Sequence, residues 1–339
     1  MNTFDDKATE PHPSLAAAAS EPDFELFCPF PTALHRDADL VQAQSVAWAR
    51  SFRLLGSSER RYRALDEAAV ARLVARSFPA AERAGLQLAA DWTTLFCLLD
   101  DKTEVAGTSM VRLAALLSRL LDAFRDGNSG DDAFASALVD LRGRMLDAAG
   151  EVWLEQFGEL LEKLFSAFLW ENLNRSNHLR PSLSAYLTMR ETTVGLHPQF
   201  ALAEITDHVH LSTETMAHPT VRSLTTMACN VVGWTNDLFT YGKELAQGEV
   251  HNLVILHMHE ARLPLAEAQR RVVASHDAEM RAFIALAARL PDVGEERPQL
   301  LRYVGVLRAW MRGHLDWARE TGRYRSDSAV ADGKRAAHA

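Results

Sequence analysis

Apolar side chains return every three or four positions from about residue 38 to about residue 322, and no clear two-residue alternation of a half-buried strand interrupts them. Ala, Leu, Arg and Glu dominate this region; Ala has no side-chain entropy to lose in a helix, and the other three lose little. The pattern predicts an all-α chain. Helices are separated by runs of turn and breaker residues: "LGSSERR" near 56, "DGNSGDD" near 129, "LRPS" at 179–182, "VGLHP" at 194–198, "AHP" at 217–219, "RLP" at 262–264 and "LPDVGEERP" at 290–298. Cutting there leaves roughly ten helices, several of them long. No fixed-period repeat and no linker rich in Pro, Gly or Ser divides the helical region. One large bundle over residues 24–325 is therefore expected, rather than a solenoid or two domains. Residues 1–23 read as a disordered leader and residues 326–339, small and polar, as a flexible tail.

Composition narrows the partners. A formal charge of −9 over 339 residues argues against a nucleic-acid binder, which would carry a basic excess or patch. Cys28, Cys97 and Cys229 are odd in number and widely spaced, which fits reduced thiols in the cytoplasm better than a disulfide framework. The acidic N-terminus lacks the basic and apolar regions of a signal peptide, and no run of about 18 apolar residues suggests a membrane span. A soluble protein, monomer or homodimer, with a small-molecule or protein partner is the expectation.

Two oxygen-rich stretches then stand out. In "NDLFTYGKE", Asn236, Thr240 and Glu244 recur at four-residue intervals. On a helix each step turns about 400° and rises about 6 Å, so the three form one polar stripe. Amide, hydroxyl and carboxylate are hard oxygen donors of the kind Mg²⁺ takes, with few carboxylates and the remaining positions left to water or substrate phosphate. A solvated helix face is the alternative, but the preceding "TTMACNVVGW" is largely apolar and has no charged outer face. In "DWTTLFCLLDDKTE", an apolar helical run ends in Asp100 and Asp101, with Glu104 on the face of Asp100. Adjacent carboxylates repel each other and suit a helix C-terminus poorly unless cations compensate them. An exposed acidic helix end is the competing reading. Asp131 and Asp132 form another pair, in a Gly-rich loop without an apolar approach, and read as the N-cap and first turn of a helix.

Together, "LLDDKTE" and "NDLFTYGKE" resemble the aspartate-rich motif and the NSE triad of bacterial class I terpene synthases. The second match includes Lys243 and continues into "NLV" at 252–254. "YLTMRETTVG" places Arg190 forty-six residues ahead of Asn236, about where that family keeps a diphosphate-sensing arginine before a helix break, here at Val194 and Gly195. "GRYRS" supplies Arg323 and Tyr324, similar to the family's C-terminal Arg-Tyr pair. The likeness begins near Phe24. Three details depart from the family pattern: the acidic motif reads DDxxE, Thr240 stands for the commoner serine, and Thr193 stands where an acidic linker is frequent.

The resemblance implies Mg²⁺-dependent ionisation of a prenyl diphosphate. It suggests three Mg²⁺ ions, with Asp100, and Glu104 as a further candidate, on one side and Asn236, Thr240 and Glu244 on the other. Arg190, Lys243, Arg323 and the Tyr324 hydroxyl would stabilise the departing diphosphate, while Asp101 would hold Arg323. The carbocation left behind needs walls that attract charge without reacting, which aromatic faces provide. Phe96, one turn before Asp100, and Trp310, thirteen residues before Arg323, are the expected wall aromatics, whereas Trp92 and Trp234 read as core. Farnesyl diphosphate is the expected substrate and a sesquiterpene the product, with geranylgeranyl or geranyl diphosphate as alternatives. A chain-elongating prenyltransferase would carry a second aspartate-rich motif in place of the NSE triad, and a protonation-started cyclase would carry a DxDD acid. A helical interaction protein would need no basic residues matched to two acidic motifs.

Overall fold

The computed structural model describes residues 24–103 and 109–324. The expected leader, Glu104 and the expected tail lie outside the described residues. Among the described residues there is no strand, in agreement with the helical periodicity. The chain begins with α1 (Ala38–Ser51), α2 (Glu59–Ala68), α3 (Val70–Ser77), α4 (Arg83–Thr103) and α5 (Met110–Asp126). It continues through α6 (Ala133–Ser176), α7 (Leu183–Thr193), α8 (Leu196–Ala201), α9 (Ala203–Thr206) and α10 (Thr213–Ala217). The last four are α11 (Pro219–Gln247), α12 (Leu253–Glu260), α13 (Leu265–Ala287) and α14 (Arg297–Glu320), the last preceded by a single 3₁₀ turn.

Every break expected from the punctuation falls between two of these helices, and capping chemistry explains why. Ser58, Ser182 and Ser212 accept hydrogen bonds from the third backbone N–H beyond them, and Asp132 accepts from Phe134 and Ala135 N–H, so it is the N-cap of α6. Gly127 and Gly248 close α5 and α11 in the left-handed region.

The helix count exceeds ten for three reasons. Ala69 takes a left-handed conformation (φ 50°) and separates α2 from α3, though no Gly or Pro marks the place. The segment 202–218 forms two helices too short for a periodicity to register. Met110 starts a new helix after the acidic run at the end of α4. Conversely, α6 runs for 44 residues, which would span about 66 Å if straight; it bends at Gly150 (φ 81°, ψ 175°) and stays with the bundle.

The long helices α4, α6, α11 and α14 carry much of the core, with Leu86, Phe157, Phe168, Leu224 and Leu307 excluded from solvent. α4 packs on α1, α3 and α6, while α11 packs on α7, α12, α13 and α14. A second apolar cluster around Tyr186, Trp234, Leu238 and Val254 ties α7, α11 and α12 together. These two groups of helices hold between them the cavity described next.

Candidate active site

One cavity of about 890 Å³, its open mouth included, gathers residues from α4, α6, α7, α8, α11, α14 and the turn after α14. Ten of the sequence candidates line it: Phe96, Asp100, Arg190, Val194, Gly195, Asn236, Glu244, Trp310, Arg323 and Tyr324. Asp101, Thr240 and Lys243 are not among its lining residues. Asp101 turns to Arg323, Thr240 is buried within α11, and Lys243 is half-buried.

The polar part is built of ion pairs and hydrogen bonds. Arg190 Nη2 donates to Asn236 Oδ1 at 2.8 Å, to Asp237 Oδ1 at 2.8 Å and to the Gly233 carbonyl at 3.3 Å. Asn236 Nδ2 in turn donates to the Tyr324 hydroxyl at 2.8 Å. Arg323 grips Asp101 through both Nη atoms, at 2.9 and 2.8 Å, with Asp100 3.8 Å away. Glu244 Oε2 accepts from Asn252 Nδ2 at 2.9 Å, and Thr240 Oγ1 donates to the Asn236 carbonyl at 2.8 Å. The Thr240 oxygen keeps acceptor capacity after that bond, as a hydroxyl has two lone pairs.

These guanidinium groups are cationic whatever the pH. Burial alone would lower the Arg190 value, but Asp237 and, further off, Glu171 and Glu244 raise it above the ordinary one. Arg323 behaves alike, its burial outweighed by Asp101 and Asp100. Burial pushes the Tyr324 hydroxyl up, so it stays protonated and can donate.

The apolar part depends on one close contact. Gly195, between α7 and α8, has φ 72°, and a Cβ built there would fall 2.2 Å from Cζ of Phe96. The ring of Phe96 therefore seats directly on the helix break. Behind it Phe168 stacks at 6.2 Å, and on the other side Trp310 packs against Phe78 and Phe200. Trp92 and Trp234 are buried away from this cavity's lining.

Several contributors escaped the sequence reading. Asp237, fully buried next to the stripe, accepts from Arg190, Tyr186 OH and Leu253 N–H, and so fixes the Arg190 side chain. Burial pushes its carboxyl up, with Arg190 pulling the other way. Its signal was available: an acidic residue inside the motif but about 100° off the stripe must face another partner. Glu249 and His251, after the NSE-like motif, line the cavity together with Arg175, which donates to Glu249 at 2.8 Å. On the wall, Thr93 donates to Gln199 Oε1 at 3.0 Å, and His314 lies one turn beyond Trp310 on α14. Nothing in their spacing distinguishes these from ordinary core positions.

A family model for terpene synthase family 2, C-terminal metal binding, matches residues 91–282, which span both acidic motifs. The (+)-T-muurolol synthase of Roseiflexus castenholzii is 33% identical over 306 residues, covering 88% of this chain and 93% of that protein. Germacrene A synthase of Nostoc punctiforme is 28% identical, covering 88% and 94%. Among solved structures, the linalool/nerolidol synthase of Streptomyces clavuligerus superposes with a TM-score of 0.78 at 24% identity, over 87% of this chain and all of that one (100%), a likeness of fold. The chain belongs to the terpene synthase family, with the all-α fold of its class I members.

Proposed function

We propose that the protein ionises farnesyl diphosphate with the help of Mg²⁺ and cyclises the resulting cation to a sesquiterpene. The observation that carries this reading is a single cavity lined by oxygen donors and arginines at one set of positions and by Phe96, Val194 and Trp310 at another. The names of the relatives from Roseiflexus and Nostoc point the same way, the former being described as farnesyl diphosphate cyclising.

The donor set suits Mg²⁺. Among the described residues there is no cluster of three or more His, Cys, Asp or Glu placed to hold a metal, so a metal here would rest on mixed amide, hydroxyl and carboxylate donors. What remains is hard oxygen: Asp100 from α4, and Asn236, Thr240 and Glu244 from α11. When bound, Mg²⁺ supplies Lewis-acid stabilisation of the leaving diphosphate oxygens. Arg190 would release Asn236 Oδ1 and turn its N–H groups to the diphosphate. Arg323 and the Tyr324 hydroxyl would donate to the same anion, Asp101 keeping Arg323 aligned, and Lys243 would add charge from α11. Phe96 and Trp310 would face the cation, Gly195 letting Phe96 approach. A chain of geranyl or geranylgeranyl length is the alternative substrate.

The experiment is incubation of the purified protein with each of the three prenyl diphosphates and Mg²⁺, reading diphosphate release and extractable terpenes. Release with farnesyl diphosphate is expected to fall at least about 100-fold in Asn236→Leu and Glu244→Gln, as removing one group that stabilises developing charge typically does. Undiminished release in both variants, folded as judged by circular dichroism, would remove α11 as the metal-binding helix.

A further inference from the structure

Glu244, the carboxylate of the α11 stripe, sits in the last turn of its helix, which closes at Gly248. The place is a poor one for a metal ligand. Helix ends fray, and the dipole there disfavours negative charge. The brace comes from the turn that follows. Asn252 is fully buried (0% exposed), and its Nδ2 donates to Glu244 Oε2 at 2.9 Å and to the Asp237 carbonyl at 2.8 Å. Its Oδ1 accepts from Val254 N–H at 2.8 Å and Ile255 N–H at 3.3 Å, in the first turn of α12. Both donors and both lone pairs of the amide are engaged, so its nitrogen and oxygen cannot be interchanged. The turn is itself tied to α6: Arg175 donates to Glu249 at 2.8 Å, and the side chains of Asn174 and His251 meet at 3.1 Å.

A helix cap alone does not account for an asparagine here. Asp or Ser would cap α12 about as well, since each supplies the oxygen that the helix start needs. The difference is the donor half of the amide, and that half faces α11. We propose that Asn252 is a positioning residue for the metal, its amide holding the Glu244 carboxylate in place for Mg²⁺. The inference rests on the reading of α11 as the metal-binding helix. A carboxylate has about four lone-pair sites and the bond from Asn252 occupies one, so amide and cation can be served at once. Asn236, by contrast, gives its oxygen to Arg190, a partner that the proposed chemistry turns to the diphosphate. The Asn252 bond needs no such exchange, and it is formed before a cation arrives. The two α12 N–H groups on Oδ1 also polarise the Nδ2–H bonds, which strengthens their hold on a charged acceptor.

The test is thermal unfolding of native, Asn252→Ser and Asn252→Gly proteins, without ligand and with Mg²⁺ titrated at a fixed, saturating concentration of inorganic diphosphate. Ser and Gly are both accepted at an N-cap, so α12 keeps its start. The midpoint without ligand reports the structural cost of each change. The Mg²⁺ concentration giving half of the ligand-induced rise reports the metal site. It should increase about tenfold or more in both variants, the usual loss when a group that orients a metal ligand is removed. The shift from diphosphate alone should stay, because Arg190 and Arg323 remain in the cavity. A native Mg²⁺ requirement in a folded variant, with only the ligand-free midpoint lowered, overturns the inference and leaves Asn252 a cap. A second measurement needs no variant to fold. In the native protein, Mg²⁺ with diphosphate should slow hydrogen exchange at Val254 and Ile255 N–H, whose acceptor is the amide that a fixed Glu244 steadies. No slowing there overturns the inference as well. Absence of a Mg²⁺-dependent rise in the native midpoint would instead remove α11 as the metal-binding helix, and this inference with it.

Discussion

At the scale of single residues, the proposed function has Arg190 and Phe96 divide the work of the cavity between charge and contour. Arg190→Ala removes the group joining Asn236 to Asp237 but scarcely alters the apolar wall. Turnover should fall while the product that does form keeps its identity. Phe96→Ala leaves every ion pair in place and opens the wall between this cavity and a small apolar void lined by Trp92, Leu120, Phe134 and Phe165. Ionisation should continue, and the cation, in a wider space with a lost aromatic face, should be quenched earlier, as acyclic or monocyclic products. Turnover and product ratios measured together separate the two roles, and an unchanged product spectrum from an active Phe96→Ala protein returns Phe96 to the core. His314 gives a prediction in pH. Its folded value of about 3 lies below the unfolded 6.5, so the folded state holds fewer protons between those limits. Its contribution is complete above 6.5 and declines as pH falls towards 3, at about 1.4 kcal/mol for each pH unit. His276, also buried and lowered, shares the trend, so the informative quantity is the difference between native and His314→Gln proteins. Between about pH 7.5 and about pH 5.5 the native thermal midpoint should drop by more than the variant's. Parallel curves would place a charged or exposed imidazole there.

At the scale of elements, the break between α7 and α8 is the most exacting feature of the site. Gly195→Ala meets two separate penalties. A left-handed φ of 72° costs a residue with a Cβ about 1–3 kcal/mol, and that Cβ cannot coexist with the Phe96 ring as placed. Lower stability and a changed product spectrum are expected together. In the double variant with Phe96→Ala, the clash disappears and the backbone strain stays, so a double-mutant cycle by denaturant unfolding should show favourable coupling. Strict additivity would mean that ring and glycine do not touch. This element also shows what was legible beforehand. The helix break was visible in "VGLHP", because Gly and Pro act through local backbone geometry that a sequence displays directly. The polar stripe on α11 was visible for the same reason, as a fixed interval along one helix. The packing of Phe96 on Gly195 was not, since ninety-nine residues separate them and nothing local encodes the approach. Asp237 and Glu249 were missed on the same ground, since Arg190 and Tyr186 sit on α7 and Arg175 on α6, and a lone buried polar residue such as His314 has no periodicity. The extra helix boundary at Ala69 had no signal, because a non-glycine residue in the left-handed region is chosen by tertiary packing against propensity.

At the scale of the whole molecule, the helices around the cavity are joined by pairs that a ligand would have to exchange. Asn236 offers its oxygen to Arg190 and its amide N–H to Tyr324, while Arg323 is held by Asp101. A divalent cation arriving alone competes with Arg190 for the Asn236 oxygen. Diphosphate arriving alone competes with Asp237 and Asp101 for the two arginines. Arriving together, the cation takes the oxygens and the anion takes the guanidinium groups, so each removes the other's competitor. The binding of one should therefore strengthen the binding of the other, and by the same factor in both directions. Ligands stabilise a native state by about 2.7 kcal/mol at a hundred times their dissociation constant, which in a chain of this size corresponds to a rise of several degrees in thermal midpoint. Mg²⁺ with inorganic diphosphate should raise the midpoint by more than the sum of the two separate shifts. Asn236→Leu should abolish the excess while leaving the residual shift from diphosphate, because the arginines remain. Purely additive shifts in the native protein would mean that cation and anion bind at independent sites, and the exchange of partners across the cavity would then have no part in binding.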